Sequence, residues 1–163
     1  MTNGEYTSHA VASRYRLHHV GIVVPDLEQA VASYAGAFNI QITTLPFDDT
    51  EQRVRVAFVR VDSDTWLEFI EPARTDSPVS KFLAKSQGGY HHIAFEVADI
   101  DAAVQDFEAA RSIVVCRPVI GFEGRRVAFL FPNVQPSLLT EFVEMRPGIV
   151  VAKRDAVTAS LSV

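Results

Sequence analysis

Two His-His pairs and two glutamates are the residues of this chain best suited to hold a metal. Four of its five histidines form the pairs His18-His19 and His91-His92. His19 and His92 stand 73 positions apart, and so do Glu68 and Glu141. Imidazole nitrogens and carboxylate oxygens together suit Mn, Fe, Co, Ni or Zn and leave room for water or substrate oxygens. Glu68 lies among Trp66, Leu67, Phe69 and Ile70, and Glu141 among Leu138, Leu139, Phe142 and Val143. A carboxylate buried in such runs is costly without a positive partner, and one shared cation would offset both costs. The plainer alternative is four polar residues facing water on half-exposed strands. Their repeat-equivalent placement weighs against that for all four together. Side chains alternate along a strand, so His19 shares a face with Gly21 and Val23, and His18 with Val20 and Ile22. Both faces are apolar, so alternation leaves open which histidine of each pair points inward. The same holds for Glu68 against Glu71 and for Glu141 against Glu144.

The common spacing is part of an internal repeat. His18 to Val31 reads closely against His91 to Val104, and Glu68-Phe69-Ile70-Glu71 against Glu141-Phe142-Val143-Glu144, both at an offset of 73. Val56-Ala57-Phe58-Val59 matches Val127-Ala128-Phe129-Leu130 at an offset of 71, with the slip taken up in a loop. Each copy reads as β-α-β-β-β, an α+β architecture. In the first, a β-branched strand spans His18–Val24. Asp26 then caps a helix, with Gln29 three residues on. Leu27, Ala30, Val31, Tyr34 and Phe38 share one face of it. Strands follow near Ile40–Leu45, Val54–Val61 and Trp66–Ile70. The second copy has a strand at His92–Val97, a helix from near Asp99, and strands near Val114–Arg117, Arg126–Phe131 and Leu138–Val143. The organisation expected is an arm over 1–16, flexible; a first module over 17–72; a linker over 73–89; a second module over 90–146; and a disordered tail over 147–163. The linker holds a short helix capped by Ser77, with Pro78 at its first position.

The 163 residues carry a net charge of −5, with 48% hydrophobic and 21% charged. That is globular composition. It offers no basic face for nucleic acid, and its longest apolar runs are far shorter than a membrane span of about 20 residues. With no apolar signal segment at the start, a cytoplasmic location is expected. Cys116 is the only cysteine, which excludes an internal disulfide and a cysteine-based zinc site.

At these residues the chain resembles the vicinal oxygen chelate (glyoxalase/bleomycin-resistance/dioxygenase) superfamily, and within it the methylmalonyl-CoA epimerases. The resemblance runs over about Leu17–Glu144. It is carried by His19-Val20-Gly21-Ile22-Val23-Val24-Pro25-Asp26, by Glu68-Phe69-Ile70-Glu71-Pro72 and by Asp76-Ser77-Pro78-Val79. Gly89-Tyr90-His91-His92-Ile93-Ala94-Phe95 and Val127-Ala128-Phe129-Leu130 complete it. It implies two tandem β-α-β-β-β modules forming a curved mixed sheet around a metal site. It also implies that the second histidine of each pair is the ligand, so that His19, Glu68, His92 and Glu141 hold one divalent metal (Co, Mn, Ni, Zn or Fe). The implied chemistry is a metal-stabilised enolate of an acyl thioester, an acyl-CoA, with Glu141 moving a proton.

The chain departs from that pattern in two places. The resemblance implies a second proton carrier, a glutamate on the third strand that some relatives lack, where this chain has Val56. The epimerases usually show His-Pro-Lys where this chain has Phe131-Pro132-Asn133, followed by a loop, Val134-Gln135-Pro136-Ser137, without the usual glycines. Gly121-Phe122-Glu123-Gly124 keeps the two glycines of a loop that the resemblance places over the substrate. The competing expectations are another enzyme of the superfamily (a glyoxalase-type isomerase, a lyase or a dioxygenase) and a module that sequesters a small molecule. Exposed sheet edges make a homodimer a further expectation.

Overall fold

The computed structural model describes residues 14–40, 44–63, 65–121 and 124–146. Its elements run β1 (Arg16–Val23), α1 (Leu27–Phe38), β2 (Phe47–Asp49), β3 (Val54–Arg60), β4 (Trp66–Pro72) and α2 (Ser80–Ser86). They continue with β5 (Gly89–Val97), α3 (Ile100–Ala109), β6 (Ile113–Ile120), β7 (Arg126–Phe131) and β8 (Thr140–Glu144). The expected N-terminal arm lies mostly, and the C-terminal tail wholly, outside the described residues. Among those residues no helix is long and apolar enough to cross a membrane.

All eight strands form one sheet in the order β2-β3-β4-β1-β5-β8-β7-β6. It is mixed and curls into a half-barrel. The order reads the same from either end once the modules are exchanged. Within each, the first strand lies parallel to the last, β1 with β4 and β5 with β8. The modules join through antiparallel pairing of β1 with β5. A sheet curled this way has a convex face for helices and a concave face for a site.

Helices α1 and α3 cover the convex face because their apolar stripes match it. Leu27 and Val31 of α1 pack with Ala57, Val59 and Phe69, and Tyr34 meets Phe69 edge-on at 4.9 Å. Ile100, Ala103 and Val104 of α3 pack with Ala128, Leu130 and Phe142. Phe69 and Phe142 are repeat-equivalent and almost wholly buried. Both helices begin as the sequence indicates: Asp26 accepts from the Gln29 N–H at 2.8 Å, and Asp99 from the Ala102 N–H at 2.9 Å.

Three local expectations need correction. The second strand is Phe47–Asp49, not Ile40–Leu45, of which 41–43 lie outside the described residues. Pro46 has no N–H for a ladder, and Leu45 is 83% exposed. Thr44 lies alongside β3, donating its N–H to the Phe58 carbonyl at 3.2 Å. The linker helix starts at Ser80, with Val79 at its cap position. Ser77 instead closes a turn through its carbonyl, which accepts from the Ser80 N–H at 3.1 Å, and its buried hydroxyl has no partner. Phe38, expected on the buried face of α1, is 66% exposed, because the last turn of the helix carries it away from the core.

Candidate metal centre

Alternation would aim only one histidine of each pair into the concave face, yet both line the cavity there. The cause is a pair of β-bulges in the β1–β5 ladder. Leu17 pairs with Phe95 and His19 with Ala94, so His18 is the extra residue on β1. Gly21 pairs with His92 and Ile22 with Tyr90, so His91 is the extra residue on β5. Each bulge turns the strand by one residue and re-aims the side chains around it. The two bulges are repeat-equivalent.

His19 and His92 bring their Nε2 atoms to 3.0 Å from each other. Glu68 and Glu141 reach the same point from β4 and β8. The Glu141 Oε2 lies 3.0 Å from His19 Nε2 and 3.2 Å from His92 Nε2, and the Glu68 Oε2 lies at 3.3 and 3.4 Å. All four donor atoms fall within 4.8 Å of one another. Atoms bound at about 2.1 Å to one ion stand roughly 3.0 Å apart at adjacent octahedral corners and roughly 3.4 Å apart at tetrahedral ones. The cluster therefore has the spacing of a coordination shell.

Three of the four side chains are nearly dry (His19 is 3%, His92 2% and Glu141 5% exposed), and the Glu68 side chain is 13% exposed. Phe58 and Phe129, equivalent at the offset of 71, each pack against one imidazole at 5.7 and 5.5 Å. Burial disfavours charge on His19, but Glu68 and Glu141 prevail and push it up to about 10. His92 is raised for the same reasons. Against their own burial, the imidazoles hold Glu68 and Glu141 below the usual carboxylate range. Two buried carboxylates thus draw positive charge onto the imidazoles, which is the demand a divalent cation would meet. The outer histidines behave oppositely. Burial, then the neighbouring His19 or His92, lowers His18 and His91 to about 4.

The cluster opens into a cavity of about 940 Å³. Val56 lines it from β3 and is 3% exposed, so the third-strand position faces the site and carries no proton-transfer group. Asp49 and Glu51 line it from the β2–β3 turn, and Arg125 from the start of β7. The alternative glutamates are engaged elsewhere: Glu71 accepts from Arg55 at 2.8 Å, and Glu144 lies 3.5 Å from Arg126. Asn133 does not line the cavity. Its side-chain amide donates to the Ala110 carbonyl at 3.1 Å, beyond the end of α3. Part of the Gly121–Gly124 loop lies outside the described residues.

Sequence reasoning missed the ionic group behind His18. Glu96, 6% exposed, accepts from Arg16 at 2.6 Å and from Arg125 at 2.6 Å. The available signal is parity: Glu96 is two and four residues from Ala94 and His92, so it points to the concave side with them.

Comparison with known proteins sets these features in a wider group. A family model described as the Glyoxalase/Bleomycin resistance protein/Dioxygenase superfamily matches residues 18–129. Mitochondrial methylmalonyl-CoA epimerase of Homo sapiens is 40% identical over 129 residues, covering 77% of this chain and 72% of the relative. The ethylmalonyl-CoA/methylmalonyl-CoA epimerase of Cereibacter sphaeroides is 37% identical, covering 80% and 98%. Among solved structures, a variant of Streptomyces coelicolor methylmalonyl-CoA epimerase in complex with 2-nitronate-propionyl-CoA superposes with a TM-score of 0.73. It is 36% identical, covering 81% of this chain and 98% of that one.

Proposed function

The chain belongs to the glyoxalase/bleomycin resistance protein/dioxygenase superfamily, and we propose that it is a metal-dependent isomerase, an epimerase of the methylmalonyl-CoA type. The observation that carries this reading is the cluster of four donor atoms spaced as a coordination shell on the wall of a cavity. Similarity to the human and Cereibacter sphaeroides epimerases supports the substrate class, an acyl-CoA with an acidic α-hydrogen.

His19, Glu68, His92 and Glu141 hold one divalent ion of the Co, Mn, Ni, Zn or Fe group. When bound, the ion supplies a Lewis acid for the oxyanion that develops as the α-proton leaves. Glu141 takes that proton: its carboxylate stays ionised beside the imidazoles and borders the cavity. The β3 side of the cavity presents Val54, Val56 and Phe58, none of which can donate or accept a proton. Water admitted through the cavity returns a proton from that side. His19 and His92 stay fixed by Phe58 and Phe129, which also exclude water around the donor atoms.

The test is isotope exchange. Metal-loaded protein in heavy water should wash deuterium into the α-position of methylmalonyl-CoA. Absence of exchange with metal bound would overturn the epimerase reading. The valine at position 56 favours, as second reading, another superfamily enzyme on a different substrate, which metal binding without exchange would support. A cytoplasmic homodimer is part of the same proposal. Strand β6 is an edge of the sheet with Ile113 exposed on it, an edge a second copy would cover. Light scattering on the purified chain measures that directly.

A further inference from the structure

The bulge histidines have no place in the chemistry above, yet each touches the imidazole beside it. His18 Nδ1 lies 2.7 Å from His19 Nδ1, and His91 Nδ1 lies 2.9 Å from His92 Nδ1. An imidazole that offers Nε2 to a metal carries its hydrogen on Nδ1 and needs an acceptor there. Here each acceptor is another imidazole, placed by a bulge.

The two arms are supported unequally. His18 Nε2 lies 3.1 Å from Arg125 Nη1 and 3.9 Å from Glu96 Oε1. Arg125 is itself fixed, donating to that Glu96 oxygen at 2.6 Å and through Nε to the Glu144 carbonyl at 2.9 Å. Arg16 holds the other Glu96 oxygen through Nε at 2.9 Å and Nη2 at 2.6 Å. With its Nδ1 accepting from His19, His18 carries its hydrogen on Nε2, turned towards the Glu96 carboxylate that Arg125 and Arg16 hold in place. His91 meets the Phe82 ring edge-on at 5.1 Å. At the offset of 73, the position matching Glu96 is Val23, which is wholly buried and apolar. The two modules thus supply two bulge imidazoles, and among the described residues one of them has an ionic group behind it.

We propose that His18, backed by Glu96 and the two arginines that hold it, is a positioning residue that fixes the His19 imidazole for metal binding, while His91, which accepts from His92, has the Phe82 ring behind it instead of a charged group. This rests on the four-ligand reading of the site. It makes the His19 half of the centre stiff and the His92 half compliant.

The experiment is Co²⁺ binding to the metal-free full-length chain, measured by chelator competition and by visible absorption of the bound ion. His18→Phe should weaken Co²⁺ binding by about 10- to 100-fold and change the absorption bands. His18→Gln, which restores a hydrogen-bonding group, should recover most of the affinity and the parent spectrum. His91→Phe should weaken binding less than His18→Phe. Circular dichroism confirms that each variant is folded. If His18→Phe binds Co²⁺ within about twofold of the parent with the same bands, or if His18→Gln rescues nothing, the positioning role is wrong while the metal site stands. A parent chain that binds no Co²⁺ overturns the metal site and this inference together.

Discussion

Gly21 stands directly opposite His92 in the β1–β5 ladder, and a Cβ built on it would lie 2.2 Å from the imidazole Cε1. The bare backbone of the first module is thus the seat for the second module's imidazole. The reciprocal pair is His19 opposite Ala94, where a methyl is accommodated. Gly21→Ala should force the ring to shift and weaken metal binding by about tenfold. Gly21→Val adds bulk that a ring shift cannot absorb and should abolish tight binding. Chelator competition on folded protein measures both. Unchanged affinity in the valine variant would show that the ring does not need its present place.

Glu68 and Glu141 are geometrically alike but chemically separable. Glu68→Gln keeps an oxygen donor and removes one charge. It should bind metal roughly tenfold more weakly and still exchange α-deuterium. Glu141→Gln also removes the proposed base. Exchange should fall at least about a hundredfold at a metal concentration that saturates the variant. Equal exchange rates in the two variants would remove Glu141 from the proton-transfer role.

Val56 offers a gain-of-function test. It faces the cavity from β3, at a position without a proton-transfer group. Val56→Glu places a second proton carrier on the side opposite Glu141, at a stability cost of about 1–3 kcal/mol for the buried polar group. Inversion per exchange event should rise, because the proton can then be returned from the second face. Chiral analysis of the thioester alongside deuterium incorporation gives that ratio. An unchanged ratio would show that water already serves this face fully.

Glu96 predicts a pH dependence of stability. Burial would raise its pKa, but Arg125 and Arg16 prevail and hold the carboxyl below its ordinary value. A depressed folded pKa stabilises above the unfolded pKa of about 4.3, and that contribution is lost as pH falls through the folded value. The gap in thermal midpoint between the parent and Glu96→Gln should stay level from neutral pH down to about 5. It should narrow below about 4.3. Scanning calorimetry across that range checks the sign, and a gap that widens in acid would contradict it.

The offset of 73 makes the candidate His and Glu pairs legible in the residue order, because duplication copies spacing faithfully, but it applies equally to His18 with His91 and so does not choose between neighbours. Asp26 and Asp99 announce their helices through local chemistry that needs only three residues. The bulges at His18 and His91 are not legible there, since a bulge is a property of two paired strands and neither strand alone records it. The Glu96 group joins residues 80 and 29 positions apart, a distance over which periodicity says nothing. Pro46 shows the opposite lesson: its missing N–H is in plain view and argues for moving the second strand towards Phe47.

The β1–β5 seam divides the donor atoms evenly, with His19 and Glu68 on one side and His92 and Glu141 on the other. An ion held by all four is therefore a clasp as well as a reagent. Its binding free energy is added to the work of peeling one half of the chain from the other. Metal-loaded protein should melt at a higher temperature than the metal-free chain, and each half loses its grip on the ion when the other lets go.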